Sequence, residues 1–160
     1  MALVLGIDQS YTSCGYVLWN TESQQMEEFG RFTTEKTDTT YARALSTAKK
    51  ICELIKKHNP TMLKAEGLAF GIRGDATRDL AGLLFTIVNL VAYEHPTIVF
   101  KEYAPTSVKK KATGSGKADK KAMIEALSDD VRQKFLDAGF KKTTGLTDLT
   151  DAYWIARMPD

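Results

Sequence analysis

The sequence predicts a mixed α/β fold, in which an antiparallel meander of three strands continues into two further strands and helices pack on the faces of the sheet. Three observations carry that expectation. The first third of the chain holds three β-rich runs joined by short polar turns. The middle alternates strand, helix, strand. The helical segments place apolar residues at i, i+3, i+4 and i+7. At 160 residues the chain suits one domain with a proper core better than two. No internal repeat or linker interrupts it, so residues 1–160 are expected to form a single domain.

In chain order, "LVLGID" and "CGYVLWN" are apolar runs rich in β-formers, separated by the turn-forming "QSYTS". "MEEFGRF" follows the polar turn "NTESQQ" as a third strand, and such short connections imply antiparallel neighbours. "TTYARALSTAKKICELIKKHNP" sets Ala44, Leu45, Ala48, Ile51, Cys52 and Ile55 on one helical face and stops at Pro60. "TMLKAEGLAF" predicts a strand, "DATRDLAGLLFTIVNLVAYEHP" a helix and "TIVFKEYAP" another strand. That second helix is apolar over well over half its circumference, through Leu80, Leu83, Leu84, Phe85, Ile87, Val88, Leu90 and Val91. Burial on two sides is expected, against the sheet and against another subunit. "PTSVKKKATGSG" is read as a turn and glycine-rich loop. Two shorter helices follow in "KADKKAMIEAL" and "DDVRQKFLDAG", then the loop "FKKTTGLT" and a last helix "DLTDAYWIARM".

Composition is ordinary for a folded protein, and no apolar run is expected to reach membrane-spanning length. "MALVLGIDQS" has neither a basic leader nor a cleavage site, which favours the cytoplasm. Cys14 and Cys52 lack CxxC spacing and read as free buried thiols. His58 and His95 each sit at an element end beside a proline, without metal-ligand spacing. The net charge of +2 is unevenly spread. Through Thr40 the acids Asp8, Glu22, Glu27, Glu28, Glu35 and Asp38 outnumber Arg31 and Lys36, whereas "KKKATGSGKADKK" concentrates lysine. Such asymmetry suits either a basic face for a polyanion or solvated surface.

"ATGSGKAD" superficially resembles a nucleotide phosphate loop, but Lys111 stands where the first glycine is needed and Ala118 where a magnesium-holding hydroxyl is needed. No nucleotide cofactor is expected there. The acids say more. Asp8 and Glu66 each interrupt an apolar strand, and Asp148 and Asp151 share one face in the first turn of the last helix. Taken singly, each has an ordinary structural use as turn former, edge residue or helix cap. If the first and fourth strands are neighbours, all four converge, and four converging carboxylates need cations. Oxygen donors alone suit Mg²⁺ or Mn²⁺, and two such ions form the clamp for phosphodiester hydrolysis. The lysine-rich stretch would then grip phosphates.

On "LGIDQSYTSCGYVLW", "KAEGLAF", "EYAPTSVKKKATGSGKADKKAM" and "DLTDAYWIAR", the chain resembles the RuvC-type Holliday junction resolvases of the RNase H-like superfamily. The resemblance implies a five-stranded mixed sheet flanked by helices, a homodimer, and paired symmetrical nicks across a four-way DNA junction. It makes Asp8, Glu66, Asp148 and Asp151 the metal-binding catalytic acids, with two Mg²⁺ or Mn²⁺ ions per site. Lys109 and Lys120 match basic positions of the family. Lys110, Lys111, Lys117 and Lys121 join them as candidate DNA contacts, with Phe70 and Arg73 beyond Glu66. The helix from Asp75 to Glu94 corresponds to the dimer-forming helix.

Three departures qualify the match. Gln9 and Ser10 replace the usual Pro-Gly of bacterial members, which points to a diverged phage or viral branch and hence a host cytoplasm. Ala69 stands where the family has a junction-contacting aromatic; the adjacent Phe70 is either its substitute or a core residue. The chain also ends soon after the last helix, so no DNA-binding tail is expected. The remaining alternatives are a nuclease with broader branched or RNA-containing targets, a non-catalytic junction-binding module, and an actin-like or sugar-kinase ATPase, for which no second phosphate loop is found.

Overall fold

A computed structural model describes residues 2–68 and 74–160. Its elements are β1 (Leu3–Gln9), β2 (Ser13–Asn20), β3 (Gln25–Thr33), α1 (Thr40–His58), β4 (Met62–Glu66), α2 (Asp75–Glu94), β5 (Val99–Tyr103), α3 (Pro105–Thr113), α4 (Lys120–Glu125), α5 (Asp129–Asp137) and α6 (Leu146–Ala156). The five strands form one sheet in the order β3-β2-β1-β4-β5. The meander pairs antiparallel, while β4 joins β1 and β5 joins β4 in parallel. The predicted mixed α/β architecture is therefore observed, with β1 central.

Strand alternation divides the side chains between two cores. Leu3, Leu5, Ile7, Cys14, Leu18, Leu63 and Ala65 face α1 and α2. Val17 and Trp19 face the layer of α3 to α6. The same parity aims Gly6 and Asp8 of β1, Ser13 and Gly15 of β2, and Lys64 and Glu66 of β4 toward α6. Glycine is required there, because α6 lies directly on the backbone. A Cβ at Gly6 would stand 2.6 Å from the Ala152 carbonyl, and one at Gly15 would stand 2.5 Å from that of Asp148.

Three expectations change. "PTSVKKKAT" is the helix α3, with proline at its start and Gly114 in the left-handed conformation (φ 84°) at its end. Proline and glycine here punctuate a short helix instead of marking a loop. The last helix starts earlier, at Leu146, behind Gly145 with φ 90°. By length and composition α2 is also apolar enough to cross a membrane, contrary to the reading of the sequence. Its apolar side chains surround the helix, so one face packs inward through Leu83, Leu84, Ile87 and Val91 while Phe85 stays 62% exposed. Among the described residues, nothing covers Phe85 on the outward face.

The free-thiol expectation holds: Cys14 and Cys52 are free and buried. Lys64 is an unanticipated core residue, 1% exposed. Its ammonium donates to the Met158 carbonyl and lies 2.7 Å from an Asp160 carboxylate oxygen. It sits under the C-terminal end of α6, where carbonyls favour a cation.

Candidate active site

Strand pairing brings the first two carboxylates together. Ile7 pairs with Ala65 across the parallel β1–β4 ladder, which makes the next residues, Asp8 and Glu66, neighbours at the ends of adjacent strands. Asp8 and Glu66 line a cavity of about 160 Å³ with Gln9, Gly67, Leu68, Leu80 and Pro105. Gln9 Nε2 donates to the Glu66 carbonyl at 2.6 Å, which tethers the two strand ends.

The second pair arrives on α6. Asp8 pairs with Gly15 on one side, and Gly15 pairs with Arg31 on the other. The missing side chain at Gly15 lets the first turn of α6 settle over this row, so that Asp148 lies against β2 and Asp151 comes one turn further along the same helix face. Asp148 Oδ2 accepts from Ser13 Oγ at 2.8 Å and stands 3.2 Å from Arg31 Nε.

Electrostatics report the convergence. Burial raises the Asp8 carboxyl well above its usual range, and the charges of Asp151, Glu66 and Asp148 raise it further, while Lys120 pulls it down. Burial and Asp151 push Glu66 up to about 7 against the opposing pull of Lys109. Asp151 is pushed up to about 6 by burial and Asp148, with Lys120 and Lys109 opposing. Each group is held toward its neutral form because half-buried carboxylates crowd one another at one spot.

Such a site can be neutralised by protons or by cations. Its donors are carboxylate oxygens from Asp8, Glu66, Asp148 and Asp151, a set that fits a hard divalent ion. Cys14 is close enough for Asp8 and Asp148 to raise its thiol pKa, after burial, yet it belongs to the core on the other face of the sheet.

The candidate lysines divide. Lys109, half-buried on α3, and Lys120, at the first turn of α4, act on the carboxylates. Lys110 and Lys117 are exposed on the same segment. Lys121 faces Glu125 at 3.8 Å. Lys111 lines a different cavity with Trp19, Lys64 and Asp160, toward the C-terminal end of α6 and away from the acids. Phe70 and Arg73 lie outside the described residues.

Ser13 and Arg31 were not singled out by the sequence. The signal for Arg31 was faint: it is one of two bases among the first forty residues. Only the cross-sheet register reveals its place beside Asp148.

Residues 4–136 match the family model described as crossover junction endodeoxyribonuclease RuvC. The match ends before α6, so Asp148 and Asp151 lie beyond it. A protein of that name from Treponema denticola is 32% identical over 126 residues, covering 78% of this chain and 70% of the relative. Another from Brachyspira hyodysenteriae is 28% identical over 128 residues, 79% of each chain. Among solved structures, Thermus thermophilus RuvC in complex with Holliday junction substrate superposes with a TM-score of 0.72 at 20% identity, covering 98% of this chain and 91% of that one. The fowlpox virus Holliday junction resolvase gives a TM-score of 0.55 at 14% identity, covering 96% and 94%. These two likenesses concern the fold.

Proposed function

The chain belongs to the crossover junction endodeoxyribonuclease RuvC family, and from that premise we propose that Asp8, Glu66, Asp148 and Asp151 form the metal-dependent nuclease centre of a Holliday junction resolvase. One observation carries the assignment of the site. Three of the four acids are pushed toward their neutral forms by burial and by one another, which is the condition a bound divalent cation relieves.

Two Mg²⁺ or Mn²⁺ ions bound there would activate a water and stabilise the leaving 3′ oxygen of a phosphodiester. The protein's part is positional. Rigid strand ends hold Asp8 and Glu66, and Ser13 with Arg31 orient Asp148. Lys109 and Lys120, whose charges act on the carboxylates, are suited to hold the scissile phosphate and to offset charge as it develops. Lys110, Lys111, Lys117 and Lys121 extend the positive surface for more distant phosphates.

A homodimer supplies the symmetry of paired nicks, since a closed two-fold interface keeps two sites at a fixed separation. The outward stripe on α2, in which half-buried Ala81 and Val88 alternate with exposed Phe85 and Ala92 at helical spacing, supports that helix as the interface. The substrate is branched DNA, read through its phosphates and shape, and the protein is assigned to the cytoplasm, or to a host cytoplasm if phage-encoded.

The deciding experiment is cleavage of labelled four-way junctions and linear duplex by the parent and by Asp8→Asn with Mg²⁺ present. Paired symmetrical cuts by the parent alone are expected. Equal cutting of linear duplex would remove the resolvase reading, and cutting by Asp8→Asn at the parental rate would remove the site.

A further inference from the structure

A second group of metal donors lies on the opposite face of the sheet. Cys52 from the middle of α1 and Glu94 with His95 at the end of α2 each bring one ligand atom within 4.8 Å of the other two. We propose that these three side chains bind a borderline transition-metal ion of the Zn²⁺ class, which ties α1 to the C-terminal end of α2 independently of the nuclease centre.

The donor chemistry separates this site from the carboxylates. Thiolate, imidazole and carboxylate together suit Zn²⁺ or Co²⁺ and disfavour Mg²⁺. Cys52 is buried, 3% exposed, whereas Glu94 is exposed and His95 half-buried, so an ion can enter from solvent beside a rigid thiol.

The histidine is already oriented. Its backbone N–H donates to the Val91 carbonyl, closing α2. Ring Nε2 lies 3.2 Å from the Cys52 carbonyl oxygen. With Nε2–H donating there, Nδ1 keeps the lone pair that a metal takes, and this kind of backbone contact is the usual support of a ligating imidazole. Burial and the neighbouring Glu94 carboxylate push the Cys52 thiol up to about 12, so the free site holds a thiol proton. A divalent ion replaces that thiol proton between the same two side chains and releases it to solvent.

The required movement is small. Tetrahedral ligands around zinc stand about 3.5 Å apart, a contraction that side-chain rotation at Glu94 and His95 can provide. The site is also remote from the first. Leu80, near the start of α2, lines the cavity of Asp8 and Glu66. Glu94 lies about 20 Å further along the helix at 1.5 Å per residue.

Co²⁺ titration of the full-length protein, in an Asp8→Asn background that weakens the carboxylate site, tests the proposal. A thiolate-to-cobalt charge-transfer band should appear, vanish in Cys52→Ser and weaken at least tenfold in His95→Ala. Zn²⁺ at about a hundred times its Kd should raise Tm by roughly 5–10 °C, and Glu94→Ala and His95→Ala should abolish most of that rise. Glu94 is exposed and His95 half-buried, which keeps the test open if Cys52→Ser does not fold. No cobalt band, a band equally strong in Cys52→Ser, or a Zn²⁺ shift unchanged in His95→Ala would overturn the site.

Discussion

Arg31 Nε lies 3.2 Å from Asp148 Oδ2 across the bare backbone of Gly15. A cation carried on β3 therefore reaches over β2 to hold an acid carried on α6. The guanidinium also packs beneath the helix start, since a Cβ at Gly145 would meet Arg31 Cδ at 2.9 Å. Arg31 is thus a positioning residue for Asp148 and for the turn that presents it. Arg31→Ala should slow single-turnover junction cleavage about 10- to 100-fold at saturating Mg²⁺, the scale of a misplacement of about 1 Å. Ser13→Ala leaves the ion pair and should cost less. A rate for Arg31→Ala within twofold of the parent would mean that Ser13 alone orients Asp148.

The close approach of α6 makes Gly15 intolerant. Gly15→Ala drives a methyl to 2.5 Å from the Asp148 carbonyl, which should destabilise by about 1–3 kcal/mol and shift the first turn of α6. Cleavage should fall with stability. Gly82→Ala is the opposite case: it sits inside α2, and among the described residues its added methyl meets only the Tyr11 hydroxyl at 3.5 Å. That variant should gain about 0.5–1 kcal/mol from helix propensity. Urea midpoints for the two variants shifting in the same direction would contradict this account.

Much of the fold was readable because its signals are local. The meander, the alternation after it and the long helices follow from runs and periods within single segments. Asp8 and Glu66 stood out as charges ending apolar strands, and Asp148 with Asp151 as acids sharing a helix face. What escaped notice depends on register or distant partners. Arg31 matters only because Gly15 separates it from Asp8 across the sheet. Lys64 looked like an ordinary strand residue, since the groups that satisfy it, Met158 and Asp160, lie more than ninety positions away. The helix α3 escaped because proline at its start and glycine at its end imitate a loop.

The lysines should separate by role. Lys120→Ala and Lys109→Ala remove cations that act on the carboxylates, so single-turnover cleavage should fall about 10²-fold or more while junction affinity changes less. Lys117→Ala, on the exposed connection before α4, should weaken binding uniformly and reduce the salt dependence by about one counterion, with the cutting rate of bound junction unchanged. Equal effects of all three on cutting would show that Lys109 and Lys120 do no more than bind the backbone.

The raised carboxylates also set how stability varies with pH in the metal-free protein. Glu66 rises from 4.5 to about 7 and Asp151 from 3.8 to about 6 on folding. Between the unfolded and folded values the native state holds protons that the unfolded chain has lost, so stability falls as pH rises. The favourable contribution is fully present below about pH 4 and lost as pH passes through 6 to 7. For each group it is worth on the order of 3 kcal/mol. Without metal, Tm should therefore decline from pH 5 to pH 8, over the window in which these two acids ionise. Millimolar Mg²⁺ should restore it more at pH 8 than at pH 5, because the ion then neutralises charge instead of displacing protons. Glu66→Gln should stabilise the metal-free protein at pH 8 by about 1–3 kcal/mol and abolish cleavage, a trade of stability for function at one residue. Thermal melts with chelator and with Mg²⁺ at the two pH values decide the point. A Glu66→Gln protein less stable than the parent at pH 8 without metal would show that ionised Glu66 is not destabilised by its burial and by Asp151.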